Sequence, residues 1–388
     1  MPDRPQPRPV TVLGAGIVGL ASAWLLQQRG HAVQLIDPSL NGPPSANAGS
    51  WAALGVLMAQ VFHRSSGRGW RLRQRSHQLW PQWLEQLAAE EALAARGDHD
   101  TPASRRDLPA APLSRRRGLL LLAASAEEQA HQQRLIETRA RQGVQLQPWS
   151  RQHLEALQPA VPPAALSGLY SPGDGQIDPL AVMAALRRSA ERAGVACEGW
   201  RVERIERRGG TGVSGGGWWL HGSDGSRRGC EQLVLCSGLA TAALVEPLGY
   251  QLPLEPVLGQ ALELELPEPL PSWPGAVVWR GINLVPRPDL PGGRRCWLGA
   301  TLEPGEAADP AALEALQRWG GDGPDWLGQA EVVRQWQGHR CRPADRAAPV
   351  LEQPEPGLLV ASGHYRNGVL LAPATAEWVA EQLESGSS

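Results

Sequence analysis

At 388 residues the chain exceeds what one core holds and suits two domains. Its 42% hydrophobic and 20% charged residues exclude a disordered chain, and 37 basic against 39 acidic residues exclude a general attraction to nucleic acid or an anionic membrane. Every basic residue is Arg, which excludes a Schiff-base lysine and a lysine phosphate clamp.

From the N-terminus, residues 1–9 are rich in Pro and Arg with no apolar segment behind them, so no signal peptide is expected. A strand predicted over Val10–Leu13 leads into Gly14-Ala15-Gly16-Ile17-Val18-Gly19. A helix over Leu20–Arg29, ended by Gly30, and a strand over Val33–Ile36 closing on Asp37 complete a β-α-β unit. Trp70–Ala95 has a helical pattern. Arg96–Arg117, rich in Pro, Asp and Arg, predicts an exposed, mobile insertion whose basic runs, Arg105-Arg106 and Arg115–Arg117, are solvated. The spacing then predicts a strand over Gly118–Ala124, a polar helix over Ala126–Gln142 and an amphipathic helix over Asp178–Ala193, with Asp178-Pro179 as cap and first turn.

Gly194–Glu206 and Trp218–Leu220 flank a Gly-rich hairpin loop at Gly209–Gly217. Leu233–Cys236 predicts a buried strand running into Ser237-Gly238, and Leu254–Leu302 several antiparallel strands. Leu358–Ala361 predicts another buried strand, Ser362–Gly368 a second Gly-rich turn and Pro373–Glu384 the last helix, with a disordered tail at Ser385–Ser388. The longest apolar stretch, Leu119–Ala124, is far below the roughly 20 residues that cross a bilayer. The five cysteines (Cys197, Cys230, Cys236, Cys296, Cys341) form no C-x-x-C pair, so neither a metal site nor a disulfide framework is expected. The expected compartment is reducing and cytoplasmic.

Two segments carry chemistry. A pyrophosphate approaches backbone N–H groups at a helix N-terminus, and side chains would block it, hence Gly14, Gly16 and Gly19. Asp37, at the end of the second strand, is placed for the two hydroxyls of a ribose and against a 2′-phosphate. That motif indicates a dinucleotide without separating FAD from NAD. The second, Ser362-Gly363-His364-Tyr365-Arg366-Asn367-Gly368, has the strand–turn–helix shape that presents N–H groups to an anionic ring edge, which an NAD dehydrogenase does not need at this position.

The run GHYRNGVLLAPAT, with GAGIVG…Asp37, Gly49-Ser50, Ala52–Leu57, Asp178-Pro179, Leu284–Arg287, Leu298–Thr301 and Trp336–Arg340, resembles the FAD-dependent D-amino acid oxidase family, and within it the glycine oxidases of thiamine biosynthesis. The resemblance spans about residues 10–384 and implies an α/β fold: a Rossmann-type FAD-binding domain (1–95, 171–246 and 342–388) with a second α+β substrate domain built on an antiparallel sheet (96–170 and 247–341). It implies non-covalent FAD, with Ile17 and Val18 at the phosphates and Asp37-Pro38 at the adenosine ribose. Gly49, Ser50, Leu54, Gly55 and Val56 fall on the flavin side, Val202 at the adenine, and His364, Tyr365, Arg366, Asn367, Gly368, Val369 and Leu370 around the ring. Ser237-Gly238 ends a strand on the same cofactor.

Arg340 and Arg366 match the family's substrate arginines, and Arg340 is the expected carboxylate clamp, with Arg342-Pro343 as a rival register. Asn283 stands where glycine oxidases commonly carry a tyrosine, leaving more room at the substrate. Cys341 lies in the region where sarcosine oxidases bond a cysteine to flavin. No catalytic acid or base is needed, because the cofactor does the difficult chemistry. The reaction implied is oxidative deamination of glycine or a small D-amino acid or amine, with oxygen as acceptor. A sarcosine-type oxidase or a flavin dehydrogenase with another acceptor stands as alternative, and so does a non-catalytic or tRNA-modifying flavoprotein. Whether copies of the chain associate is open.

Overall fold

Val10–Leu13 is buried along its whole length, as the central strand of a parallel sheet must be. In a computed structural model, which describes residues 9–45, 47–97, 113, 115–209, 216–269 and 273–385, this strand pairs in parallel with Val33–Ile36 and with Gln232–Leu235. Leu358–Ser362 and Ala196–Glu198 extend the sheet in parallel at its two sides, and Val350–Glu355 joins antiparallel to make six strands. Alternation sends Val10 and Val12 to one face and Leu13 to the other. The first face is covered by helices Ile17–Gln28, Gly67–Gly97, Pro179–Arg192 and Gly368–Ser385, with Trp24, Trp80 and Trp83 buried between them. The second is covered by the three-stranded sheet of Val202–Arg208, Gly217–Gly222 and Arg227–Cys230, through Ile205, Trp218 and Leu220.

A ten-stranded sheet forms the other half of the molecule. Its centre is Leu254–Glu265, Arg295–Gly299, Ile282–Arg287 and Ala276–Trp279, antiparallel in that order, and Glu331–Pro343 runs antiparallel along Leu254–Glu265. One pair departs from the antiparallel expectation: Ala276–Trp279 lies parallel to Arg116–Ala123, so the sheet is mixed. Val56–Leu57, from the N-terminal part of the chain, pairs with Ser167–Gln176 in this same sheet and links the two halves.

Four sequence expectations need correction. The strand expected from Gly118 starts at Arg116, and Arg115 is half-buried with its guanidinium on the Gly173 carbonyl, so the Arg115–Arg117 run is not simply solvated. Residues 98–112, with Arg105-Arg106, lie outside the described residues, as do 210–215 of the Gly-rich loop and the tail 386–388. Gly194–Glu206 is two strands in two sheets, Ala196–Glu198 and Val202–Arg208, because the chain crosses from one layer to the next between them. The last helix starts at Gly368 and carries Pro373 inside it rather than at its start. The first helix begins at Ile17 instead of Leu20, which brings its N–H groups directly onto the glycine turn.

Asp178 caps its helix as expected, accepting from Leu180 N and Ala181 N at 2.9 and 3.1 Å. All five cysteines are free. Among the described residues no helix is long and apolar enough to cross a membrane, and no group of three or more side chains is arranged to hold a metal ion.

Candidate cofactor and substrate cleft

The carboxyl ends of four neighbouring strands, at Leu13-Gly14, Ile36-Asp37, Cys236-Ser237 and Ser362-Gly363, open onto one cleft of about 1370 Å³. Open α/β sheets bind ligands at this edge, where the chain turns away in different directions. The volume exceeds the roughly 300–1,000 Å³ of a small-ligand pocket and suits a dinucleotide. The opposite wall comes from the ten-stranded sheet through Asn283, Thr301 and Arg340.

At the first turn, Gly14 has φ +106°, and a Cβ there would lie 2.6 Å from Cys236 O. Gly16, Ile17 and Val18 line the cleft, whereas Gly19 does not. Gly19 instead faces Gly14, where a Cβ would overlap the Gly14 carbonyl oxygen, so its role is to seat the helix against the strand. The Ile17 N–H, at the open end of the helix, donates to Ser50 Oγ at 3.1 Å, an acceptor standing in the position an anion oxygen would take. Asp37 accepts from Ala15 N at 2.9 Å and from Ser39 N and Oγ at 2.8 and 2.6 Å. Three of its roughly four acceptor positions are thereby filled, so one strong bond to a ligand hydroxyl remains. Pro38 and Val202 lie on the lining near it, and Ser237 and Gly238 on the adjoining strand end.

Residues 362–370 border the cleft together with Gly49, Leu54, Gly55 and Val56. Tyr365 has φ +53°, a left-handed conformation that a non-glycine residue adopts only under constraint. It turns the chain so that Arg366, Asn367, Gly368, Val369 and Leu370 all border the cleft. His364 is fully buried, bonded through Nε2 to Thr375 Oγ1 at 3.0 Å, and burial lowers its pKa to about 3. Its imidazole is therefore neutral and serves neither as a cationic partner nor as a proton donor near neutral pH. Cys341 also borders the cleft, 4.0 Å from Ser362 Oγ, and burial pushes its thiol above the ordinary range, away from the reactive thiolate.

Arg340 projects from the strand Glu331–Pro343 over Gly259, where a Cβ would collide with the guanidinium. Its Nη1 donates to Leu258 O and Thr301 O at 3.1 and 3.0 Å. No carboxylate among the described residues pairs with it, and burial together with nearby Arg366 lowers its pKa. Arg366 borders the same cleft and is exposed. Arg342, two residues on, is outside the lining and ion-paired to Glu255 at 2.5 Å. Asn283 donates through Nδ2 to Gly299 O at 3.0 Å, which fixes the amide; its buried Oδ1 has no partner. Asn283 and Arg340 are thus both held by the segment 299–301, and both border the cleft.

The family model for FAD dependent oxidoreductases (DAO) matches residues 9–382. The chain belongs to that family. This oxidoreductase is 29% identical over 381 residues to a glycine oxidase of Geobacillus kaustophilus, covering 97% of this chain and 92% of that one. It is 28% identical over 384 residues to a bifunctional protein ThiO/ThiG of a Nostoc species, covering 97% of this chain and 52% of that protein's length. The crystal structure of the Geobacillus kaustophilus glycine oxidase superposes with a TM-score of 0.80 at 28% identity, covering 97% of this chain and 95% of that one. The protein is accordingly an FAD-dependent amino acid oxidoreductase.

The residues present fit that cofactor: a glycine turn at a helix N-terminus, a carboxylate with one acceptor position left, and a second turn bordering the same cleft. Removing the carboxylate tests the ribose end. Asp37→Ala is expected to weaken FAD retention by at least about tenfold, the worth of a hydrogen bond to a charged group. Dialysis of the holoprotein against FAD-free buffer, followed by absorbance, would measure it; unaltered retention would refute the ribose role.

Part of the oxidoreductase's cleft was not legible from the sequence. Met58, Val61, Phe62, His63 and Arg73 form one side of it. The segment is positioned from beneath: the buried Asp174 carboxylate accepts from Ala59 N, Gln60 N and Val61 N at 2.7, 2.9 and 3.0 Å. From above, Arg139 donates to the carbonyls of Gln60, Phe62 and Arg64 and stacks on Trp70 with 4.0 Å to the ring centre. These hydrogen bonds join residues 75 to 115 positions apart, and no motif marks them.

Proposed function

We propose that the protein oxidatively deaminates glycine or a small D-amino acid or amine, with oxygen as electron acceptor. The observation that carries this reading is the Arg340 guanidinium, paired with no carboxylate among the described residues, on the cleft that Asn283 and residues 362–370 also border. Arg340 presents Nη2 and Nε, which meet no acceptor among the described residues, to the substrate carboxylate in a fork. Asn283 borders the same cleft and shapes the space beside the substrate. A fixed grip on the carboxylate helps orient the Cα–H, and full alignment of reacting groups contributes up to roughly 7–11 kcal/mol to catalysis.

FAD, bound without a covalent link, would supply the acceptor for the hydride leaving Cα. The substrate loses that hydride and an N–H proton to become an imine, which water hydrolyses to the oxo acid and ammonia. Oxygen takes up the two electrons with two protons and leaves as hydrogen peroxide. The neutral His364 needs no part in proton transfer. Likeness to the glycine oxidases supports a role for the imine in thiazole synthesis for thiamine. An amine screen with peroxide detection tests the reading: glycine or small D-amino acids are expected to release peroxide. N-methylated amines alone releasing it would move the assignment to a sarcosine-type oxidase, for which Asn283 leaves room, and turnover only with an artificial acceptor would indicate a dehydrogenase.

A further inference from the structure

Three arginines are buried among the described residues. Arg139 is satisfied by the carbonyls of Gln60, Phe62 and Arg64 and by Gln142 Oε1. Arg287 is neutralised by Asp178 and Asp289 at 2.6 and 2.7 Å. Arg73 is different. It is 6% exposed, and its one hydrogen bond is to Gly69 O, a turn back in its own helix, at 3.1 Å. Its Nε is buried with no partner, and no carboxylate among the described residues pairs with it. The Phe62 ring covers the guanidinium plane at 3.6 Å, and the nearby His63 and Arg64 add no negative charge. A buried charge without a counter-ion is costly unless a ligand supplies the other sign.

Arg73 borders the cleft, and its helix fixes where. Ser76 Oγ accepts from Ala374 N at 3.2 Å and Trp80 Nε1 donates to Leu370 O at 3.1 Å, so this part of the helix lies against the start of the last helix. Residues 362–370, with Arg366, lead into that helix, and Arg340 lies close enough to Arg366 to feel its charge. We infer that Arg73 is a second carboxylate subsite, and that the preferred substrates are amino acids bearing a second carboxylate, on the side chain or on the nitrogen. The inference rests on the reading of Arg340 as the clamp for the first carboxylate.

Calorimetric titration of the holoenzyme with acetate, malonate, succinate and glutarate tests it without turnover. At least one dicarboxylate is expected to bind about tenfold or more tightly than acetate, with the advantage lost in Arg73→Met, which keeps an apolar stem on Phe62. The ratio of kcat/KM for aspartate, glutamate or N-(carboxymethyl)glycine over glycine should fall in parallel. Should Arg73→Met not fold, Arg73→Gln retains an N–H for Gly69 O and serves the same comparison. Dicarboxylates binding no tighter than acetate to the wild type, or a preference that survives both variants, would overturn the inference while leaving the Arg340 clamp intact. Acetate altering glycine turnover without competing, with no dicarboxylate advantage, would assign Arg73 to a separate anion and also overturn it. No carboxylate binding at all would remove the clamp and the subsite together.

Discussion

Replacing Arg340 by Met is expected to lower kcat/KM for small amino acids by about 30- to 1,000-fold while FAD stays bound, the loss that follows when one partner of a desolvated charge pair is removed. The effect should fall mainly on KM, because the carboxylate does not change during the reaction and its grip is made equally in ground and transition states. The structure gives Arg340 the attributes of a clamp: it borders the cleft, has room over Gly259, is anchored by Leu258 O and Thr301 O, and lacks a protein carboxylate. Arg340→Lys should recover only part of the loss, since an ammonium cannot reproduce the planar fork. Arg342 provides the control. It is ion-paired to Glu255 outside the cleft lining, so Arg342→Met should leave KM for the same amino acids within about twofold. An unchanged KM in Arg340→Met, or a large rise in Arg342→Met, would shift the clamp to the rival register.

The second large effect is expected at Gly19, where the sign of an ordinary rule reverses. Alanine in place of glycine inside a helix normally stabilises by about 1 kcal/mol. Here the added Cβ would overlap the Gly14 carbonyl oxygen and approach the Cys236 side chain, both part of the core beneath the phosphate turn. The helix Ile17–Gln28 would have to lift from its strand, and Gly19→Val is expected to cost about 3 kcal/mol or more and to yield protein unable to retain FAD. Thermal unfolding and FAD content of the purified variant read the two losses together. An unshifted melting temperature with full FAD content would show that the turn tolerates a side chain and that its glycines mean less than claimed.

The contrast between Gly19 and Arg73 shows how much of the site was legible in the sequence. The unit from Val10 to Asp37 could be read because strand, glycines, helix and acidic residue are local, each placing the next within a few positions. Residues 362–370 are legible for the same reason, although the sequence pattern starts the last helix at Pro373; in the structure Pro373 is buried inside that helix, with the turn itself beginning it. The hairpin expected between Gly194–Glu206 and Trp218–Leu220 is made by Val202–Arg208, whereas Ala196–Glu198 joins a different sheet, since local patterning carries no information about the partner. The Arg115–Arg117 run was read from its charge as solvated, and only the fold shows Gly173 O accepting from Arg115. Arg73 was invisible because, in a chain whose basic residues are all Arg, residue type marks no position; its burial beside Phe62 arises from tertiary packing alone.

The central claim is that one cleft holds FAD and presents it to an amino acid gripped by Arg340. Adding glycine or another small amino acid to the purified yellow protein under strict anaerobiosis, and following the visible flavin band, tests it most directly. The band is expected to bleach, at a substrate concentration raised by Arg340→Met, and to return when oxygen is admitted. A protein that takes up no FAD, or a flavin band unmoved by every small amino acid supplied, would contradict it.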